Sequence, residues 1–199
     1  VSMLGLYDNR SKIGVPNIEE DAEIALSIIA KIPVIVAAYH RFRQGLELPP
    51  VRDDLSEAQH FLYLINGKEA GEVAVKTLDV ALILHADHGM NASTFSARVT
   101  VATLSDMYSP VTSAIGTLKG PLHGGANEGV IHMLQEIGGP ENVDAYVEGK
   151  MSRKEKIMGI GHRIYKVLDP RAPHLRRLAS ELTEELGGPK WLIMSRGIA

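Results

Sequence analysis

"NIEEDAEIALSIIAKI", residues 17–32, is the stretch of this sequence that decides its fold. Asn17 is a good N-cap, and the acidic residues after it suit the positive end of a helix dipole. Isoleucines recur from Ile24 at i, i+4 spacing, which places them on one face of a helix. The segment therefore predicts a helix that Pro33 kinks or restarts and that ends near Gln44.

Helical patterns of the same kind fill most of the chain that follows. They cover 57–66, 71–88, 91–107, 109–116, 127–139, 174–188 and 189–199. Residues 91–107 are mostly small, which predicts a buried helix that other helices approach closely. "VTVATL" (99–104) is compatible with a strand in isolation, but its setting favours a helix because period-two alternation is not sustained anywhere in the chain. The sequence predicts an all-α fold.

The composition excludes several classes of function. A net charge of −3 leaves no electrostatic footprint for nucleic acid or an anionic membrane surface. The lack of cysteine excludes disulfides, thiolate zinc sites and a cysteine nucleophile, and it fits a reducing compartment. The most apolar run, residues 28–39, carries Lys31 and Pro33 and is shorter than the roughly 18 residues that span a bilayer. We therefore expect neither a nucleic-acid partner nor a membrane partner.

Three histidines lie at element boundaries beside glycine: His88 in "HADHGMNAS", His123 in "PLHGGAN" and His162 in "GIGHRIYK". For any one of these histidines, a structural role as a cap or hydrogen-bonding partner is at least as well supported as a functional role. Three such positions together favour function, because boundaries and loops carry functional residues disproportionately.

His123 is the sharpest candidate for catalysis. The glycines around it clear space for another molecule, and the helix that follows favours the neutral ring over the imidazolium. A neutral imidazole N–H can donate a hydrogen bond to a developing enolate oxygen, and such a preorganised donor contributes roughly 3 kcal/mol in a transition state.

A metal site is the poorer interpretation of the histidines. His85 and His88 are three residues apart, but neither cysteine nor a carboxylate-plus-histidine pattern completes a ligand set. We expect His85 to lie in the core and His88 to face a ligand. Asn91 is expected to cap the next helix, with a substrate contact as its second role.

"MGIGHRIYKVLDPRAP", residues 158–173, concentrates basic side chains in one loop and helix start. Guanidinium groups pair bidentately with carboxylates, which favours a di- or tricarboxylate ligand. Pro170 stiffens the chain and should aim Arg171 in a fixed direction. A solvated basic turn is the alternative, and it suits Arg163 and Lys166 better than Arg171. The exposed backbone at the start of this segment could receive an extended cofactor.

At these residues the sequence resembles the citrate synthase family, which includes 2-methylcitrate synthase. The matching stretches are "LHADHGMNASTFSARV" (84–99), "GPLHGGANE" (120–128) and "GIGHRIYKVLDPRA" (159–172), in the family's order and at similar separations. The resemblance extends from "GLYDNRSKIGVP" (5–16) through the rest of the chain.

The resemblance implies a multi-helical homodimer in the cytoplasm, with a large domain, a small domain and a cleft between them. Residues 1–123 would belong to the large domain and 124–199 to the small one, and the helices at 91–118 would join the dimer interface. It implies no metal and no permanently bound cofactor, with acetyl-CoA as co-substrate.

The implied reaction is a step of the tricarboxylic acid cycle, in which oxaloacetate, acetyl-CoA and water give citrate and CoA through an enol or enolate. His123 would hydrogen-bond the thioester carbonyl, and His162 would be the general acid on the ketone oxygen of oxaloacetate. The residues implied in oxaloacetate binding are His88, Arg171 and Asn91. The residues whose backbone would lie along CoA are Met158, Gly159, Ile160 and Gly161.

One departure from the family pattern affects activity. The family's catalytic aspartate, the base that removes the methyl proton, lies beyond the equivalent of Ala199, so we expect the 199-residue chain alone to be nearly inactive. Two alternatives stay open: a 2-methylcitrate synthase that takes propionyl-CoA, and a non-catalytic helical dimerisation module. One methylene is worth only about 1–3 kcal/mol in a pocket, and the motifs are common to both enzymes.

Overall fold

The structure is a computed structural model that describes residues 1–8, 10, 13–14, 17–86, 89–160 and 169–198. Within these ranges all regular structure is helical, which confirms the predicted all-α fold. The α-helices are α1 Ile18–Arg43, α2 Glu57–Asn66, α3 Glu72–Ala86, α4 Ala92–Val101, α5 Tyr108–Leu118, α6 Gly125–Ile137, α7 Val143–Ser152, α8 Ala172–Leu186 and α9 Lys190–Ile198. Short 3-10 helices lie at Ser2–Tyr7 and Pro140–Asn142.

The chain divides into two compact units, 1–118 and 119–199. The first unit holds α1 to α5 and the second holds α6 to α9. The division into a large and a small domain after His123 stays a prediction.

The start of α1 confirms the cap that the sequence predicts. Asn17 Oδ1 accepts the backbone N–H groups of Glu19 and Glu20 at 3.2 and 3.3 Å. The helix does not restart at Pro33 but continues to Arg43. Proline removes a single backbone N–H, and the turns on both sides retain theirs, so a helix of 26 residues accommodates it.

The rest of the first unit covers only part of α1. Ile24 and Ile28 are buried together with Tyr108 of α5. Other large apolar side chains along the same helix are exposed. They are Ile18, Leu26, Ile29, Tyr39 and Phe42.

The apolar segment in α1 is longer than predicted, because neither Lys31 nor Pro33 interrupts the helix. An 18-residue window of α1 has a mean hydropathy of 1.8, so by length and composition this helix could cross a membrane. The core helix of a soluble protein meets the same criterion, and the finding by itself therefore assigns no location.

The bounds of α2 are those that the sequence predicts. Gln59 N–H donates to Ser56 Oγ at 3.4 Å, and Ser56 N–H donates to Gln59 Oε1 at 2.9 Å, which forms a reciprocal capping box. Gly67, with φ of +76°, ends the helix in the left-handed conformation that glycine adopts without steric cost.

The small-residue segment at 91–107 differs from the prediction in length and burial. Its helix, α4, ends at Val101, and Asp106 Oδ1 then accepts the N–H groups of Tyr108 and Ser109 at the start of α5. Hydroxyl groups join α4 to α5, since Ser96 Oγ and Ser113 Oγ are 2.6 Å apart. The other side of α4 is not buried in this chain, as its exposed apolar side chains show. They are Phe95, Val99 and Val101.

The second unit is built around one apolar cluster. Its buried members come from α6, α7 and α9: Met133, Leu134, Ile137, Val143 and Met194. Val130 of α6 and Met158 of the following loop pack against this cluster. The core thus holds α6, which directly follows His123, together with Ile157 and Met158, the second of which is a predicted site residue.

Candidate functional site

The described residues include part of the predicted site. His123, Arg171 and the segment 158–160 lie in the second unit, and Asn91 lies in the first. His88, His162 and Gly161 lie outside the described residues, and their predicted roles stay predictions.

His123 ends a tight turn directly before α6. Its backbone N–H donates to Gly120 O at 3.0 Å, which closes a β-turn with Pro121 at the second position, where proline is favoured. Its carbonyl oxygen accepts the N–H of Ala126 at 3.1 Å. Because both backbone groups of His123 are engaged, the turn fixes the position from which the half-buried imidazole extends.

The space that one glycine clears beside His123 is filled by the chain itself. A Cβ atom on Gly125 would lie 2.9 Å from the carbonyl oxygens of both Lys119 and Gly120. The sequence predicts that the glycines here make room for a ligand. At Gly125 the structure instead shows the turn and the first residue of α6 in close contact.

The predicted CoA-binding segment packs on α6. A Cβ on Gly129 would lie 2.8 Å from Met158 Cε, and a Cβ on Gly159 would lie 3.2 Å from Val130 Cγ2. Gly159 has φ of +84°, a conformation that side-chain-bearing residues rarely adopt. Gly159 and Ile160 are exposed, so backbone groups of this segment are open to solvent while Met158 anchors it.

Arg171 precedes α8 and is held by the carboxylate of Asp169. Its Nη2 donates to Asp169 Oδ2 at 2.7 Å and its Nε to Oδ1 at 3.1 Å. The backbone N–H of Arg171 also donates to Oδ1, at 2.9 Å. Both side chains are about three-quarters buried, with 24% and 28% exposure. These bonds give the guanidinium the fixed direction that the intervening proline predicts.

In the first unit, the structure agrees with the prediction for Asn91 and disagrees with the prediction for His85. Asn91 Oδ1 accepts the N–H of Thr94 at 2.9 Å, so the predicted cap of α4 is confirmed. The predicted core position of His85 is wrong, because the side chain is exposed in the last turn of α3. Its Nδ1 donates to Ala81 O, one helical turn earlier, at 2.6 Å.

Within the described ranges, no group of three or more histidine, aspartate or glutamate side chains is arranged to hold a metal ion. Gly125 and Gly129 support the site through close packing that the sequence pattern did not predict. Gly129 carried a usable signal, because a glycine inside an otherwise regular helix often has a packing reason.

These features define an all-α protein whose candidate site is built on glycine-rich turns at helix ends. A family profile described as "Citrate synthase, C-terminal domain" matches residues 1–199. The chain belongs to the citrate synthase family.

Individual relatives agree with this assignment. Citrate synthase 2 of Bacillus subtilis is 53% identical over 195 residues, which cover 98% of this chain and 52% of that protein. A 2-methylcitrate synthase of Mycobacterium tuberculosis is 46% identical over 170 residues, which cover 84% of this chain and 43% of that protein. The chain spans about half the length of the curated relatives that it matches.

A solved structure shares the fold. The citrate synthase of Thermoplasma acidophilum, in a ternary complex with carboxymethyl coenzyme A and oxaloacetate, superposes with a TM-score of 0.87 at 33% identity. The match covers 99% of this chain and 51% of that one.

Proposed function

We propose that the protein is a citrate synthase-type acyltransferase, which condenses oxaloacetate with acetyl-CoA and water to give citrate and CoA. The observation that carries this proposal is the turn at His123, whose backbone is fixed on both sides in a stretch that matches the family. A rigidly held donor is what stabilisation of a developing enolate oxygen requires, since the donor must not reorganise as charge forms.

The first step forms the nucleophile. A base removes a proton from the methyl group of acetyl-CoA, and the ring N–H of His123 donates to the thioester oxygen as negative charge develops there. The resemblance places that base, an aspartate, in sequence beyond this chain. The resulting enol or enolate carbon attacks the ketone carbon of oxaloacetate, and water then hydrolyses the citryl thioester to release CoA.

The second substrate is a keto-diacid, which needs fixed cations and a proton donor. Arg171 supplies a planar guanidinium that can pair with a carboxylate, and its bonds to Asp169 support a fixed approach. By resemblance, His162 donates a proton to the ketone oxygen while His88 holds the substrate. Asn91 is the further contact, made beside its capping bond to Thr94.

CoA lies along the backbone of residues 158–161 in this proposal. The anchoring of Met158 on α6 and the exposure of Gly159 and Ile160 support such a role. The co-substrate brings the thioester, so the proposed chemistry needs no resident cofactor and no metal ion.

We place the protein in the cytoplasm as a homodimer. The exposed apolar side chains of Phe95 and Val99 on α4, and of Ile115 on α5, support a partner surface at 91–118. Their exposed fractions are 62%, 54% and 43%. Exposed apolar side chains that lie on neighbouring helices are typical of a protein–protein interaction surface.

The test of the proposed function is a thiol-release assay on the full-length protein with oxaloacetate and acetyl-CoA. We expect His123→Ala to lower kcat by roughly 10²–10³-fold, the cost of removing one oxyanion donor. His132→Ala is the matched control, since His132 lies on α6 with an exposed ring that is 3.7 Å from Glu128. Equal turnover by both variants contradicts the role of His123.

The relative named 2-methylcitrate synthase supports a second candidate, in which propionyl-CoA replaces acetyl-CoA. The comparison of kcat/KM for the two acyl-CoA substrates in the full-length enzyme separates the candidates. A preference for propionyl-CoA would assign the second.

A further inference from the structure

We propose that Gly125 is a positioning residue for catalysis: its lack of a side chain lets the Lys119–Gly120 backbone lie against the start of α6, and this contact holds His123 in place. The inference rests on the proposed function, because it assigns to Gly125 an effect that acts through His123. Gly125 itself would touch neither substrate.

The carbonyl oxygen of Gly120 is the shared point of this arrangement. It accepts the N–H of His123 at 3.0 Å and the N–H of Gly125 at 3.2 Å. One acceptor thus ties the catalytic candidate and the first residue of α6 to the same peptide group. Any movement of Gly120 relative to the helix would disturb both bonds.

The lack of a side chain at Gly125 allows the N–H groups of His123 and Gly125 to share the carbonyl oxygen of Gly120. A Cβ atom there would approach Gly120 O and Lys119 O to 2.9 Å, and Gly120 C to 3.2 Å. All three are backbone atoms, which cannot rotate away as the end of a flexible side chain can. Alanine would therefore push the turn away from α6 and carry His123 with it.

Backbone conformation does not explain the glycine. Gly125 is the first residue of α6 and is not among the residues with positive φ, so alanine would suit its dihedral angles. The cost of a methyl group that the structure shows here is the close approach of the turn, which makes Gly125→Ala a probe of that contact.

The expected effect of Gly125→Ala is a fall in kcat of roughly 10–100-fold, because a displacement of about 1 Å at a catalytic group can cost that much. The KM for oxaloacetate should stay within about two-fold, because a positioning effect through His123 leaves the keto-diacid contacts intact. Oxaloacetate should also raise the melting temperature of the variant as it raises that of the parent. A merely structural role would weaken these two properties together with kcat.

The decisive measurement compares Gly125→Ala in two backgrounds of the full-length protein. If Gly125 acts through His123, the substitution lowers kcat in the parent but has no further effect in His123→Ala. Gly149→Ala is the matched control, since Gly149 lies in α7 of the same unit, where the nearest neighbours of a Cβ would be the flexible end of the Arg153 side chain, with Nη1 at 3.3 Å. This control should leave kcat unchanged.

Two results overturn the inference while the proposed function stands: unchanged kcat in Gly125→Ala, or an equal loss in both backgrounds. Retention of activity by His123→Ala instead overturns the proposed role of His123. If Gly125→Ala does not fold, Pro121→Ala loosens the same turn from its exposed side without adding an atom against α6. A several-fold loss of kcat in Pro121→Ala supports the inference, and unchanged kcat overturns it.

Discussion

At the scale of single residues, Arg171 shows how a short acid–proline–arginine sequence sets the direction of a cation. Asp169 holds both the backbone N–H and the guanidinium of Arg171, so little of the rotational freedom of that side chain remains. A substrate carboxylate that pairs with it gains from this order, since the entropy cost of fixing the side chain has already been met in the free protein.

We expect Arg171→Lys to raise the KM for oxaloacetate, because lysine keeps the charge but loses the bidentate geometry. Hydrogen bonds to charged groups contribute about 1.5–3 kcal/mol, which corresponds to an increase in KM of roughly 10–100-fold. Steady-state kinetics of the full-length protein measure it. Arg177→Lys is the control, since Arg177 pairs with Glu181 on the exposed side of α8. A similar KM for both variants would count against substrate binding by Arg171.

The sequence predicts Arg171 as a site residue because Pro170 stiffens the chain before it, and His123 because glycines surround it and a helix follows it. Both roles stay predictions. The sequence did not identify the partners that hold these two residues. The bonds of Asp169 to Arg171 depend on local geometry, and the contact of Gly125 with the Gly120 carbonyl depends on how closely the turn approaches α6. Neither is encoded in a periodic pattern.

At the scale of elements, the side chain of Arg41 joins the end of α1 to the end of α2. Its Nη1 donates to Ile65 O at 2.9 Å, and its Nε donates to Glu47 O at 2.5 Å. The last carbonyl groups of a helix lack partners within that helix, so a cation from a neighbouring helix satisfies one of them. The guanidinium also lies close over Gly67, where a Cβ would be 3.1 Å from Nη1.

We expect Arg41→Ala to lower the free energy of unfolding by about 2 kcal/mol, the value of hydrogen bonds from a charged donor to carbonyl oxygens. Urea denaturation of the full-length protein followed by circular dichroism gives the change. Arg43→Ala is the control from the same turn of α1, because the Arg43 guanidinium lies over the exposed Tyr39 ring, 5.7 Å from its centroid, and not at the end of α2. Equal losses of stability in the two variants would contradict the bridging role.

A second link between elements connects the N-terminal segment to α5. Tyr108 Oη donates to Asp8 Oδ2 at 2.7 Å, and Arg10 Nη2 donates to the same oxygen at 2.8 Å. The Arg10 guanidinium, aided by the Tyr108 hydroxyl, holds the pKa of Asp8 well below its usual range. Burial, together with the hydrogen bond to the Asp8 carboxylate, raises the pKa of Tyr108 to about 12.

The raised pKa of Tyr108 predicts a loss of stability in alkali. The folded protein holds the phenolic proton more tightly than the unfolded chain, so the contribution is complete below the unfolded pKa of about 10 and falls as the pH rises towards 12. We expect Tyr108→Phe to lose less stability than the parent between these two pH values, measured as urea midpoints. Tyr7→Phe, which removes an exposed phenol, should follow the parent. Parallel curves for the parent and Tyr108→Phe would contradict this assignment.

The sequence predicted the ends of elements well where one local residue decides them, as at Asn17, Ser56 and Gly67. It did less well at the end of α4, since the predicted helix runs to residue 107, whereas α4 ends at Val101 and Asp106 caps the start of α5. Pro33 does not restart α1, which continues as one helix to Arg43. The packing of the 158–159 segment on α6 also depends on close approach at Gly129 and Gly159, which helical periodicity does not report.

At the scale of the whole molecule, the chain spans about half the length of the relatives that it matches, and the resemblance implies that the catalytic aspartate of the family follows the part matched here. We therefore expect the 199-residue chain alone to show little thiol release, since a general base commonly contributes a factor of roughly 10²–10⁴. Parallel assays of this chain and the full-length protein measure the difference. Circular dichroism establishes that the shorter chain is helical. Near-normal turnover by the helical chain would contradict the expectation.

The exposed apolar side chains of α1 determine how this polypeptide would behave in isolation. Leu26, Ile29 and Phe42 leave 66%, 60% and 79% of their surface in contact with water. Isolated in a test tube, the polypeptide should bind the fluorescent dye ANS and form soluble aggregates as its concentration rises. Replacement of these side chains by glutamate should suppress both the dye binding and the aggregation. The same replacement would weaken the packing of these side chains against any surface that covers them.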